Sequence, residues 1–205
     1  MYHLYLGIYT QLNMSLVIIK VDRTAKTHSI YSDGIMLKGN NVYSSTAKKI
    51  THIENEKFSI LLGCVGNGIF SDYVRIHFQE ILKSSNILEY LADETMAENE
   101  ISSIFKKLWL NYCKENEMKE NSWNDFGAAI SINGYLFVTD RYQDLIFHSI
   151  MVKDDDFCTM GENEIAAKYL LYNNLPIQQI FDTISRYNSC VNNNVRSIEN
   201  VSYLK

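Results

Sequence analysis

The sequence predicts an α+β fold of four layers, an αββα sandwich of two mainly antiparallel sheets with helices packed outside them. Three observations carry this. The apolar period switches from two to three or four after Gly66 and again after Gly161, so blocks of strands alternate with pairs of helices. Residues 16–21 and 58–65 are nearly continuous apolar runs, as strands covered on both faces must be. Asn133-Gly134 separates two short apolar runs, which is the strongest short-range hairpin signal. Each sheet then has one face for the other sheet and one for a helix pair.

Taken in order, residues 16–21 form a first strand, 22–27 a polar turn and 28–32 its hairpin return. Residues 42–53 are mixed and extended. The run 58–65 (FSILLGCV) is the most apolar of the chain and stops at Gly66-Asn67-Gly68, a strong breaker. Phe70, Tyr73, Val74, His77, Phe78, Ile81 and Leu82 then mark an amphipathic helix. Ile101, Ile104, Phe105, Leu108 and Tyr112 mark a second, opened by Glu98 and Glu100, which suit the positive end of a helix. A polar loop at 116–125 leads to strands 127–132 and 135–139, and a further strand follows at 145–152. Residues 164–172 form a helix, and Pro176 takes a first-turn position ahead of Ile177, Ile180, Phe181, Ile184 and Tyr187. Residues 201–204 close a sheet.

A chain of 205 residues suits one domain, and a single proline and nine glycines leave no linker. The reading is one domain over 15–205, with 1–14 an N-terminal extension like a propeptide. Nineteen basic against twenty-four acidic residues give a net charge of −5, which argues against a nucleic-acid-coating face. A 46% hydrophobic and 21% charged composition is that of a packed core, not of disorder. No apolar run approaches the roughly 20 residues that cross a bilayer, so no membrane partner is expected. Cys64, Cys113, Cys158 and Cys190 are far apart without a C-x-x-C pair. Neither a disulfide framework nor a zinc site follows, and a reducing, cytoplasmic setting does. Residues 1–13 contain no Lys or Arg and no small-residue cleavage pattern, so they are not read as a secretory signal.

No P-loop, G-x-G-x-x-G, H-E-x-x-H or G-x-S-x-G is present, and the five histidines have no motif around them. The informative region runs from Asp33 to Gly66. Alone, Asp33-Gly34 reads as a turn and Lys48-Lys49 as a solvated pair. Together, Asp33-Gly34, Gly39-Asn40, Ala47-Lys48-Lys49-Ile50 and Leu62-Gly63-Cys64-Val65-Gly66 before a helix form an ordered series. Met160-Gly161-Glu162-Asn163 before Ala166-Ala167 and the closing stretch 189–203 continue it. This order resembles the proteasome β-type family, nearest in motif order to HslV-like peptidases, whose fold is that of the N-terminal-nucleophile hydrolases. The sixteen positions from Asp33 to Lys49 match the family's separation, and the likeness extends from Ser15 to Lys205.

The resemblance implies a chemistry. An N-terminal hydroxyl residue, Ser15 here, attacks a peptide carbonyl while its own α-amine, with a pKa of about 8, acts as base. Lys49 would depress the pKa of that amine and hydroxyl, and Asp33 would hold Lys49 charged. The Gly63 N–H would supply the oxyanion donor and Leu62 would face the substrate pocket. No organic cofactor is implied. A cation, Na or Mg, would sit on the carbonyls of Tyr187, Cys190 and Asn193 after the last helix. Three features depart from the family. Ser15 follows fourteen residues and needs cleavage after Met14. Glu162 replaces the serine of a G-S-G turn, and Asn188 stands for an aspartate that orients the nucleophile. An acylase or amidase lacks a Cys or Thr nucleophile near the first strand.

The expected function is a subunit of stacked homo-oligomeric rings, non-catalytic while uncleaved. The alternative is a Ser15 peptidase released by removal of 1–14, acting on peptides or unfolded proteins, with an AAA+ ATPase unfoldase as partner. Phe70, Tyr73 and Phe78 are expected on an exposed helix face that joins subunits.

Overall fold

Strand β1 (Leu16–Asp22) is buried at every position except Lys20 and Asp22. Alternation sends Val17, Ile19 and Val21 to one side and Leu16 and Ile18 to the other, and the two sets join different cores. The computed structural model describes residues 15–38, 41–44, 48–122, 125–141 and 146–203, with backbone alone for 36–38 and 41–44. The expected extension at 1–14 lies outside the described residues, as do Gly39, Asn40, Ala47, Leu145, Leu204 and Lys205.

After β1 come β2 (Thr27–Asp33), β3 (Met36–Lys38), β4 (Asn41–Ser44), β5 (Ile50–Glu54) and β6 (Ser59–Gly66). Helices α1 (Gly68–Lys83), α2 (Ile87–Tyr90) and α3 (Glu94–Glu115) follow. Next are β7 (Phe126–Ile132), β8 (Tyr135–Arg141), β9 (Phe147–Val152) and β10 (Phe157–Gly161). The chain then forms α4 (Glu164–Tyr172), α5 (Ile177–Tyr187) and β11 (Val195–Ser202). One sheet has the order β10-β1-β2-β11, the other β5-β6-β7-β8-β9, and β3-β4 is a separate ribbon. Every pairing is antiparallel.

Three apolar cores fill three interfaces, so the layers number four, as expected. Leu62, Phe70, Phe105 and Phe126 lie between the five-stranded sheet and α1–α3. Val17, Ile30, Leu61 and Leu136 lie between the sheets. Leu16, Ile18, Ile180 and Phe181 lie between the four-stranded sheet and α4–α5. Gly63 faces the other sheet at close quarters: a Cβ there would stand 2.5 Å from a Val17 methyl and 3.0 Å from Ile30. Only a hydrogen fits in that gap.

Several expectations need correction. Phe70 and Phe78 are fully buried, and Phe70 meets Trp109 and Phe126 edge-on at 5.1 and 4.9 Å. Tyr73 is half-buried with its hydroxyl donating to Glu115 at 2.8 Å. These three therefore form no exposed face; Ile69 and Ile76 are the exposed apolar residues of α1. Helix α3 begins at Glu94, because the Asp93 side chain caps it by accepting from the Met96 N–H. The extended stretch 42–53 is two strands, β4 and β5, in different sheets. Pro176 is the residue before α5 and not its first turn. Strand β11 starts six residues earlier than expected, and β10 was not expected at all. Both are edge strands; β11 is broken by a bulge between Ile198 and Val201 and carries no apolar period, whereas β10 is only five residues long, with Cys158 and Met160 as its buried positions.

At the end of the sandwich away from Asp33, His28 of β2 is buried and reaches across to the second sheet. Its Nδ1 lies 2.7 Å from the Ser131 hydroxyl and its Nε2 3.0 Å from the Ser59 hydroxyl, which His52 also approaches at 3.3 Å. Burial, and secondarily His52, pull the imidazole from 6.5 down to about 4. Between these values the unfolded chain binds more protons than the folded one, so stability falls as pH falls through that window. The loss reaches up to about 3 kcal/mol by pH 4. Urea unfolding at pH 7 and pH 4 should show a steeper loss for wild type than for His28→Gln. Equal slopes would remove His28 from the account.

Candidate active site

Strands β1 and β2 are in register with Val17 opposite Ser32, which places the end of β2 beside the start of β1. Asp33 closes β2 with its side chain fully buried. Its Oδ1 accepts the Leu16 N–H at 2.8 Å and its Oδ2 the Ile35 N–H at 3.0 Å. The chain returns just before β5 to deliver Lys49, also buried, whose Nζ lies 3.0 and 2.9 Å from the two carboxylate oxygens. Sixteen positions of separation thus become a bidentate ion pair under the first residues of β1.

Burial is the larger influence on both groups. It pushes the Asp33 carboxyl up against Lys49 and the two amides, and pulls the Lys49 ammonium down against Asp33. The four hydrogen bonds that three donors make to Asp33 satisfy its lone pairs, which is the condition for a buried ion pair to persist.

Ser15, the residue before Leu16, is buried, and its carbonyl accepts the Glu162 N–H at 2.8 Å. Gly161 makes that approach with φ +109, and a Cβ there would sit 1.9 Å from the Ser15 oxygen. Any other residue would push Ser15 away. The Glu162 carboxylate accepts from Asn188 Nδ2 at 3.0 Å, and the Asn188 carbonyl oxygen of the side chain accepts the Cys190 N–H at 2.8 Å. Asn192 ties the same loop to β2 by accepting the Gly34 N–H at 3.0 Å. Ser15, Asp33, Lys49, Glu162 and Asn188 therefore gather at one end of the sandwich. Glu162 and Asn188, the two departures, hydrogen-bond to each other.

Other expected site residues lie elsewhere. Leu62 is buried toward α1 and α3, because strand alternation turns Leu62 and Cys64 to the helices; it cannot line a pocket at Ser15. The Cys64 N–H donates to the Lys49 carbonyl at 3.0 Å, so alternation turns the Gly63 N–H toward β7, where Ala129 is its register partner. Gly63 is a spacer between sheets and not a free donor. Gly66, three residues on, ends β6 with φ +92 ahead of the Asn67 cap of α1.

Tyr187 ends α5 with an exposed side chain, and Cys190 lies partly buried. The Asn193 carbonyl accepts the Val195 N–H at 3.0 Å and Gln178 Nε2 at 3.1 Å. Among the described residues no group of three His, Cys, Asp or Glu side chains could hold a metal. None of their helices is long and apolar enough to cross a membrane. A cavity of about 460 Å³ lies at the opposite end, among Arg23, Lys26, Asn133, Gly134 and Tyr203, away from Asp33.

Two antiparallel sheets with these helix pairs have counterparts among solved structures. Eukaryotic HslV from Trypanosoma brucei superposes with a TM-score of 0.56 at 13% identity, over 89% of this chain and 97% of that one. Anbu, an ancestral beta-subunit from Yersinia bercovieri, gives 0.60 at 13%, over 93% and 86%. The Anbu complex of Pseudomonas aeruginosa, a helical assembly, gives 0.59 at 16%, over 92% and 81%. The chain has the HslV and Anbu fold. No family model and no curated protein matches the sequence. At these identities the likeness lies in the layers and their connections, the N-terminal-nucleophile hydrolase architecture.

Removing one partner leaves the other charge buried and alone, at a cost of roughly 3–5 kcal/mol. Asp33→Ala should therefore unfold at markedly lower urea than wild type. Asp33→Asn combined with Lys49→Met should lose less than the two single changes added together. Strict additivity would mean that the two groups do not interact.

Proposed function

We propose that this chain is a proteasome-like subunit that self-associates into stacked rings and is non-catalytic while Ser15 remains joined to Met14. The observation that carries this is the buried Lys49–Asp33 pair anchored to the Leu16 amide, one residue from the nucleophile position. An acylated Ser15 nitrogen can serve neither as a base nor as a free amine, whatever the geometry around it. Self-association is supported by the exposed apolar residues on α1, α4 and α5, among them Ile69, Ile76, Ile165 and Tyr169. The fold's occurrence in assembled Anbu points the same way.

The retained ion pair favours a second reading, a peptidase released by removal of 1–14. The Ser15 hydroxyl would then attack a peptide carbonyl and pass its proton to its own α-amine. The leaving amine would take that proton as the acyl ester forms, and water would hydrolyse the ester. Lys49 would keep the amine unprotonated near neutral pH, held in place by Asp33. An AAA+ unfoldase partner and a cytoplasmic setting belong to this reading.

Intact mass distinguishes the chain with residues 1–14 from the chain without them. The uncleaved protein should hydrolyse no unstructured peptide and should scatter light as a multimer at micromolar concentration; a monomer mass would overturn the ring. In a preparation with Ser15 exposed, Lys49→Ala should abolish hydrolysis. Equal turnover by Lys49→Ala would show that the mechanism assigned to the pair is wrong.

A further inference from the structure

We propose that the cavity at the end of the sandwich opposite Asp33 binds a short zwitterionic peptide, two or three residues long and carrying an apolar side chain. Its volume of about 460 Å³ lies within the roughly 300–1,000 Å³ of small-molecule sites. Three tips of the fold converge on it: the turn between β1 and β2, the hairpin between β7 and β8, and α2 with the residues just after it. These walls are tied to one another and to the core. Tyr203, which follows β11, donates its N–H to the Lys26 carbonyl at 3.1 Å. The Tyr203 ring lies on Gly134, where φ is +83 and a Cβ would stand 2.7 Å from the ring. Glycine alone permits both the turn and the contact. On the α2 side, Ile87 and Leu91 are buried in the core between the five-stranded sheet and its helices. The cavity is therefore a built feature of the fold.

The charges on its walls select the ligand. Arg23 and Lys26 stand on the β1–β2 turn, Glu89 on α2, and all three side chains are exposed. Arg23 gives its Nε to Asp156 at 2.6 Å, and its two Nη groups make no hydrogen bond among the described residues. Among those residues neither the Lys26 ammonium nor the Glu89 carboxylate forms an ion pair. An anion alone would meet Arg23 and Lys26 but would face the Glu89 carboxylate. A cation alone would meet Glu89 but would face two positive groups. A ligand with an ammonium at one end and a carboxylate at the other satisfies both walls. A free amino acid has the two groups on one carbon, whereas each further residue separates them by up to about 3.6 Å. A peptide therefore spans walls whose own charges do not reach each other. Between them, Leu88, Leu91 and the Tyr203 ring offer apolar surface for a side chain.

Binding here requires neither a free Ser15 nor ring formation, so it stands or falls separately from the function proposed above.

Titration calorimetry on the full-length, uncleaved protein tests it, with the dipeptide Leu-Phe as probe and Lys26→Gln and Glu89→Gln as variants. Wild type should bind Leu-Phe saturably. Each variant should bind it about fivefold more weakly, as the loss of one exposed charge contact predicts, with an unchanged thermal midpoint. Blocked probes then locate each end of the ligand. N-acetyl-Leu-Phe should bind wild type about fivefold more weakly than Leu-Phe, and Glu89→Gln should not distinguish the two. Amidation of the C-terminus should cost wild type more than it costs Lys26→Gln. Three outcomes would overturn the proposal. One is no saturable binding at millimolar Leu-Phe. Another is binding that either variant leaves unchanged, which would place the peptide elsewhere. The third is equal affinity of wild type for Leu-Phe and its N-acetyl form, which would make the cavity a site for an anion alone.

Discussion

The carboxylate of Asp33 has no exposed surface and accepts four hydrogen bonds from three donors, and the connections of this end of the molecule follow from that. One donor is the amide that starts β1, one is the amide two residues along the chain, and two contacts come from the lysine that precedes β5. A buried carboxylate must have such partners, because each unmet lone pair would cost more than the hydrogen bond is worth in water. The start of β1, the end of β2 and the approach to β5 are thereby held at one point. The same carboxylate supports the fold whether or not Ser15 ever acts.

The sandwich imposes a second constraint. Its two sheets approach closely enough at Val17 and Ile30 that only glycine fits opposite them, and Gly161 allows the Ser15 carbonyl equally close contact. Both glycines stand in motifs that can also be read as parts of a catalytic turn. Gly63 serves packing, because its Cβ direction points between the sheets. Gly161 serves placement, because its positive φ lets the following amide meet Ser15. Glu162 and Asn188, read singly as losses from a site, bond each other and fasten the closing loop beside the first strand. A substitution that looks damaging alone can be matched by a neighbour that only folding brings near.

Much of the fold was legible in the chain. The runs at β1 and β6, the Asn-Gly turn between β7 and β8 and the apolar spacings of α1, α3, α4 and α5 all lie in the expected places. The layering followed, since the period of each segment reports which face is covered. Strand β11 was not legible over its first six residues, because a bulged, mostly exposed edge strand has no alternation to read, and β10 was missed because its alternation spans only five residues with two buried positions. At the site, Asp33 and Lys49 were singled out by the family resemblance, which their separation matches, and they meet as a buried pair. Leu62 and Gly63 were not placed correctly, because motif order sets the residue number and strand parity sets the direction of its side chain and amide.

The sequence by itself determined the order of most elements, since that depends on local period, and the family resemblance of its motifs singled out Asp33 and Lys49. Only the tertiary structure decided that His28 is a buried bridge between sheets, that Glu162 and Asn188 are partners, and that the rings of Phe70 and Phe78 are interior. The physical reason is range. Period and turn chemistry act over a few residues, whereas burial and hydrogen-bond satisfaction are settled among groups tens to more than a hundred positions apart, which meet only when the sheets stack.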